Sequence, residues 1–221
     1  MLDKNQRYLQ IAFNYDLGQV ARILPRIPRS SRILIEAGTP FIKKEGAHGI
    51  RKIASAWGGH LVADLKVADG AEGEGRMARY AGATAATVLG NSPTETLNLF
   101  IDACRESGMD SMIDLVGVQD PLTVLRRLKR PPTAMVLHKG RDEESTGGKV
   151  IAYKHVKRIK SKHDVLISAA GGVDLKEART AIFNGADIVV ANVVTHHDPW
   201  VGIDENEDVG EIARKFLETI E

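Results

Sequence analysis

Short apolar runs rich in β-branched residues alternate along this chain with longer segments of helical spacing, and that alternation is what most constrains the fold. The runs are Leu9 to Asn14, Ile33 to Ala37, Leu61 to Leu65, Ala85 to Leu89, Ser111 to Leu115, Ala134 to Leu137, Val165 to Ser168 and Ile188 to Ala191. Such alternation is the signature of repeated β-α units and a parallel sheet. The helical patterns lie at Glu45 to Trp57, Gly73 to Tyr80, Thr94 to Ser107, Pro121 to Lys129, Val150 to Ile159, Leu175 to Asn184 and Val209 to Ile220. In Thr94 to Ser107, the side chains Leu97, Ile101 and Cys104 share one face, Ser92 or Thr94 can cap the start, and Gly108 can stop the helix. Eight strands favour a closed (β/α)8 TIM barrel of the α/β class over an open doubly wound sheet, which stays the alternative.

At 221 residues the chain suits one barrel domain spanning residues 1–221, and no linker or low-complexity stretch divides it. No apolar run approaches the roughly 20 residues needed to cross a bilayer, so no membrane partner is expected. The opening "MLDKNQRYLQ" lacks the apolar stretch of a signal peptide, and Cys104 is the sole cysteine. A cytoplasmic location follows as the expectation. The formal net charge is +1, which gives no global pull towards nucleic acid. The local basic clusters, Arg22, Arg26, Arg29 and Arg32, then Arg126, Arg127, Lys129 and Arg130, read as solvated faces.

In barrels of this kind chemistry sits at the carboxyl ends of the strands. Asn14 and Asp16 follow the first strand, Glu36 lies in the second, and Asp64, Lys66 and Asp69 follow in and after the third. Asn91, Asp114, His138 with Arg141, and Asn192 stand at later strand ends. Asp64 and Lys66 are two apart, so on an extended strand they project to one side, while Gly70 permits a turn beyond Asp69. A lysine flanked by carboxylates is held protonated and supplies fixed charge to a substrate whose own charge changes during reaction. Glu36 and Asp64 are hard oxygen ligands, the kind Mg²⁺ accepts alongside water and substrate. The bland reading of these charges is a salt bridge closing the barrel mouth. His138, behind an apolar run, is placed to exchange protons near neutral pH.

"ISAAGGVD" sets Gly171 and Gly172 between a strand and a helix, where backbone N–H groups can hold an anion such as phosphate. The polar stretch "KGRDEESTGG", Lys139 to Gly148, reads as a mobile active-site loop or a plain surface loop. His196 and His197 in "THHDPW" look like a metal pair, but adjacent residues point different ways and a loop is preferred.

The motif Asp64-x-Lys66-x-x-Asp69 resembles that of the orotidine monophosphate decarboxylase superfamily, which includes 3-hexulose-6-phosphate synthase and 3-keto-L-gulonate 6-phosphate decarboxylase. The likeness extends over "IEAGTPFIKKEG", "VADLKVADG", "DLVGVQDP", "LHKGRD", "AGGVD" and "GADIVV". "IEAGTP" and "DLVGVQDP" look most like the hexulose-phosphate synthase branch, whereas "HKGRD", with His138 and Arg141, is closer to the keto-gulonate phosphate pattern. The resemblance implies a homodimeric barrel that binds a sugar phosphate and stabilises an enediolate on Mg²⁺. It makes Glu36 and Asp64 metal ligands, sets Lys66 against the enediolate oxygens, and lets His138 move the proton. It places Asp69 in the same charged array, able to reach across the dimer interface, and makes Arg141 catalytic. Asn14, Glu36, Gly171, Gly172 and Asn192 would touch the substrate. The implied reaction joins ribulose 5-phosphate to formaldehyde; the rival is decarboxylation of a β-keto sugar acid phosphate or of orotidine monophosphate. Two departures, Asn14 where the family ordinarily has aspartate and Ala191–Asn192 in place of a second glycine element, favour a third reading, a non-catalytic sugar-phosphate-binding barrel.

Overall fold

The computed structural model describes residues 1–146 and 150–221. Eight parallel strands run in chain order: β1 (Tyr8–Phe13), β2 (Ile33–Ala37), β3 (Leu61–Val67), β4 (Ala85–Leu89), β5 (Asp110–Asp114), β6 (Ala134–His138), β7 (Leu166–Ala170) and β8 (Ile188–Val194). Each pairs with the next, and β1 also pairs with β8, with Tyr8 opposite Ile188 and Ala12 opposite Asn192. The sheet is therefore closed, and the open-sheet alternative is excluded. A two-residue strand, β9 (Ile203–Asp204), adds to the outer end of β8.

Nine α-helices lie among the described residues: α1 (Leu17–Ile23), α2 (Thr39–Trp57), α3 (Ala71–Tyr80), α4 (Thr94–Glu106), α5 (Pro121–Arg127), α6 (Arg141–Ser145), α7 (Val156–Lys160), α8 (Leu175–Phe183) and α9 (Val209–Thr219). Leu97, Ile101 and Cys104 of α4 are buried together as their spacing predicts. Two helices escape the periodicity. α1 has only seven residues and is set by its cap, the Asp16 carboxylate accepting from Gln19 N at 3.0 Å. α2 starts at Thr39 rather than Glu45, with Pro40 in its first turn, and breaks at Gly46, whose φ of +59° divides it into two pieces. The span Val150 to Ile159 is helical only from a 3-10 turn at Tyr153–His155 onward. The predicted loop Lys139 to Gly148 carries α6, and its Gly147 and Gly148 lie outside the described residues.

Alternation of side chains fixes two layers of packing. One parity, including Leu9, Ile11 and Phe13 of β1, packs outward against the helices in the larger core. The other points into the barrel: Tyr8, Ala12, Leu34, Val62, Met112, Val136, Leu166 and Ile188 fill its lower interior. Leu2 joins that cluster, and its N–H donates to the fully buried Asp110 at 2.9 Å, so the amino-terminal residues seal the base. Continuing the inward parity to the strand ends gives Asn14, Glu36, Asp64, Thr87, Asp114, His138 and Asn192. The interior is thus apolar below and polar at one rim. No helix among the described residues is long and apolar enough to cross a membrane.

The basic clusters are only partly solvated. Arg29 lies 4.5 Å from the centre of the Trp57 ring, and Arg26 donates to the Glu205 carbonyl at 3.0 Å.

Two glycines separate conformational freedom from close packing. Gly58, at the end of α2, has φ +68° with open space around it, whereas a Cβ on Gly171 (φ +101°) would lie 2.0 Å from the Lys139 carbonyl oxygen. Gly58→Ala should cost about 1–2 kcal/mol, the left-handed penalty alone, and Gly171→Ala about 3 kcal/mol or more, because the backbone itself must move. Urea unfolding of the two variants checks this; equal losses would contradict it.

Candidate active site

A cavity of about 580 Å³ opens at the carboxyl ends of the strands, and its walls include Glu36, Asp64, Lys66, Asp114 and His138. β3 positions the lysine by leaving regular pairing. Ala63 pairs with Ala86 and Val67 with Val88, so β3 takes two more residues than β4 over the same rise. Within this bulge Lys66 has φ +48°, the only non-glycine residue in the left-handed region among those described. Such a conformation in a non-glycine residue persists only where surrounding contacts hold it. Here the Lys66 N–H donates to the Thr87 hydroxyl at 2.9 Å. The expectation that Asp64 and Lys66 meet on one side holds for the side chains, but the backbone between them is bulged, not extended.

Lys66 Nζ lies 2.9 and 3.1 Å from the two Asp64 carboxylate oxygens and 2.5 Å from Asp114 Oδ2. Burial alone would push this ammonium down, but Asp64 and Asp114 more than offset it and hold its pKa above the usual lysine value. Asp64 is steadied by the Thr39 and Thr87 hydroxyls, each 2.7 Å from one of its oxygens. Asp114, 2% exposed, also accepts from Val116 N at 2.8 Å and lies 2.8 Å from His138 Nδ1. Burial would raise its pKa, yet His138 and Lys66 draw it well below the carboxylate range. Because an ionised carboxylate only accepts, His138 Nδ1 carries the hydrogen, leaving Nε2 as the exchangeable position. Burial would lower the imidazole pKa, but Asp114 outweighs it and raises it.

Glu36 stands apart from this network. Its Oε2 accepts from Gln10 Nε2, and Oε1 has no hydrogen-bond partner among the described residues. Burial, then the charge of Asp64, raises its pKa to about 7. Glu36 is therefore short of positive charge on the cavity side, whereas Asp64 already has Lys66. That deficit fits a hard divalent cation held by two carboxylates, with water and substrate supplying the rest. No cluster of three or more acidic, histidine or cysteine ligands exists among the described residues, so a closed protein cage is not what these residues build.

The other predicted site residues are distributed unevenly. Asn14 and Asn192 line the cavity and bond to each other, Asn14 Nδ2 donating to Asn192 Oδ1 at 3.0 Å. Arg141 lines it too, with its guanidinium 4.3 Å from the centre of the Trp200 ring. Gly171 lines the wall, and Gly172 follows at φ +65°. Asp69 does not join the array of its own chain: the strand has ended, the residue is exposed, and its carboxylate accepts from Gly70 N at 2.8 Å. Asp16 caps α1 and pairs with Lys44 at 3.0 Å. His196 and His197 are exposed and lie in a loop, but their rings do not point apart: the centres are 3.6 Å apart and the planes tilted by 41°. Sequence reasoning left Asp114 without a role and missed Gln10, Thr39 and Thr87; inward strand parity would have found all but Thr39.

With this geometry in view, the pattern of the Orotidine 5'-phosphate decarboxylase / HUMPS family matches residues 7–193. The chain is 35% identical over 212 residues to the bifunctional enzyme Fae/Hps of Methanothrix thermoacetophila, covering 95% of this chain and 52% of that protein. The Fae/Hps of Methanosarcina mazei is 36% identical over 216 residues, covering 96% and 52%. The chain thus spans about half the length of the curated relatives it matches. Among solved structures, 3-hexulose-6-phosphate synthase from Salmonella typhimurium superposes with a TM-score of 0.80 at 25% identity, over 96% of this chain and 98% of that one. KGPDC from Streptococcus mutans shares the fold, with a TM-score of 0.76 at 17% identity over 97% of each chain.

Removing one partner of a buried ion pair costs about 3–5 kcal/mol, and Asp114 serves two cations. Asp114→Asn should lose about 3 kcal/mol of unfolding free energy, and its His138 should titrate lower than in the parent. The sign follows from both shifts. Asp114, depressed in the fold, contributes above its unfolded value, and His138, raised, contributes fully below its own. The stability difference should therefore be largest between about pH 4 and 6.5, shrinking on acidification and as His138 deprotonates. Denaturation at several pH values, with NMR titration of His138, checks both; an unmoved His138 would overturn the assignment.

Proposed function

The chain belongs to the Orotidine 5'-phosphate decarboxylase / HUMPS family, and from that premise we propose that it is an aldehyde-lyase of the 3-hexulose-6-phosphate synthase type. It joins ribulose 5-phosphate to formaldehyde through an enediolate. The observation that carries the reading is the Lys66 ammonium fixed between Asp64 and Asp114 beside His138. The phosphate sits against the backbone of Gly171 and Gly172, which sets the sugar carbons over this array. Neutral His138 Nε2 takes the proton from the carbon next to the carbonyl, and Asp114 stabilises the imidazolium that results. Lys66, already charged and held in place, faces the negative charge that develops on the sugar oxygens, so little reorganisation accompanies the step. The enediolate carbon then bonds to the formaldehyde carbon, whose oxygen becomes a hydroxyl on taking up a proton. Mg²⁺ held by Glu36 and Asp64 would add positive charge facing the same oxygens.

In this reading all 221 residues act as one domain, paired as a homodimer and working in the cytoplasm. Exposed Asp69 is then free to meet the partner's site. Decarboxylation of a β-keto sugar acid phosphate is the second reading, favoured by His138 and Arg141 standing together at the cavity wall. It would generate the same enediolate by loss of carbon dioxide.

Condensation of ribulose 5-phosphate with formaldehyde, followed with and without EDTA, tests the proposal; absence of turnover in both conditions sinks it. Lys66→Ala should lower the rate by about a hundredfold or more, the scale of losing one preorganised charge contact. Glu36→Gln should act mainly on metal dependence, shifting the Mg²⁺ concentration for half-maximal rate upward. Because the base must be neutral and His138 is held above its ordinary pKa, the rate of proton abstraction should rise with pH through a value above about 6.5. Asp114→Asn should move that limb down; a limb unmoved by the substitution would assign the proton transfer elsewhere.

A further inference from the structure

Glu144 lines the same cavity as Gly171, on the side where the proposed function puts the sugar phosphate's anionic end. It projects from α6, and its Oε1 accepts the Val201 N–H at 3.0 Å, in the segment that follows β8. Its other neighbour is the turn after β7: a Cβ built on Gly172 would lie 2.7 Å from Glu144 Oε1 and 3.1 Å from Lys139 Nζ. One carboxylate is therefore set against a left-handed glycine and on the Val201 backbone N–H, and the Lys139 ammonium flanks the same glycine. A backbone N–H and an ammonium recognise anions; Gly172 and Val201 come from the two loops, after β7 and β8, at which barrels of this type take up phosphate, and Lys139 follows β6. Two anions cannot share these donors without strong repulsion.

We propose that Glu144 is an internal competitor that a ligand's phosphate must displace, weakening every phosphate ligand by the same factor. The inference rests on the proposed function. A sugar phosphate can displace the carboxylate because it also gains contacts with Lys66 and His138 deeper in the cavity. Free inorganic phosphate has only the rim subsite and competes at a disadvantage. The displacement is local: Arg141, three residues earlier on α6, keeps that helix attached to the same segment through Trp200 at 4.3 Å. The cost of displacing Glu144 falls equally on both ligands, so it leaves their affinity ratio unchanged and holds free phosphate, the weaker binder, below occupancy.

Calorimetric titration of the full chain and of Glu144→Gln with inorganic phosphate, ribulose 5-phosphate and unphosphorylated ribulose tests this. Glu144→Gln should bind inorganic phosphate and ribulose 5-phosphate each about tenfold more tightly, one like charge removed being worth about a decade, with ribulose affinity unchanged. Glu144→Ala, which also loses the bond to Val201, should shift phosphate affinity in the same direction. Inorganic phosphate binding that is unchanged or weaker in both variants overturns the inference while leaving the proposed function standing. If ribulose 5-phosphate binds the parent no more tightly than ribulose does, the phosphate subsite itself is wrong and both fall.

Discussion

Lys66 places an ammonium between Asp64 and Asp114 at the top of the barrel, and much of the surrounding structure is arranged to accommodate it. Removing such charges from water costs several kcal/mol per ion unless partners replace the lost hydration. Two carboxylates within 3.1 Å do so. Their own remaining lone pairs are met by Thr39, Thr87 and Val116 N–H. The bulge in β3 and the left-handed backbone of Lys66 are what bring the ammonium to that point. Asp114, already committed to Lys66, fixes the tautomer of His138. Glu36 is left outside, and burial with the charge of Asp64 raises its carboxyl to about 7, while His138 and Lys66 hold Asp114 ionised.

Much of this is legible in the sequence because strand ends in a barrel converge. The eight apolar runs locate all eight barrel strands to within a few residues, and Glu36, Asp64, Lys66 and His138 can be picked out from their positions along those runs. What stays hidden depends on pairs distant in sequence. Asp114 is 48 residues from Lys66 and 24 from His138, so nothing local signals that it joins them. The motif Asp64-x-Lys66-x-x-Asp69 invites all three charges into one row, yet the strand ends at Val67 and Asp69 turns outward. The short α1 and α6 carry too few turns for periodicity to show, and Asp16 reads as a strand-end acid when it is a helix cap.

The two departures from the family's usual pattern prove to be partners. Asn14, just past the end of β1, and Asn192, on β8, flank the seam whose pairing closes the barrel, and their amides bond across it. Gly38 makes room for the arrangement: a Cβ there would lie 2.2 Å from Asn14 Oδ1. An acid in place of Asn14 would add a negative charge near Glu36, which already feels the repulsion of Asp64. A neutral amide pair keeps the seam polar without deepening that deficit. Each residue alone looks like a loss; together they are a consistent local solution.

The sealed base has a consequence for traffic. Below the polar rim the barrel is filled by Leu34, Val62, Met112 and their neighbours, with Leu2 closing the floor. The site is a blind well, so reactants arrive and products leave through the same opening. For a reaction that joins two molecules, depth then dictates sequence: whichever partner lies nearer the floor must enter first and depart last. Under the proposed function, a sugar phosphate laid across the array nearer the floor would precede the small aldehyde.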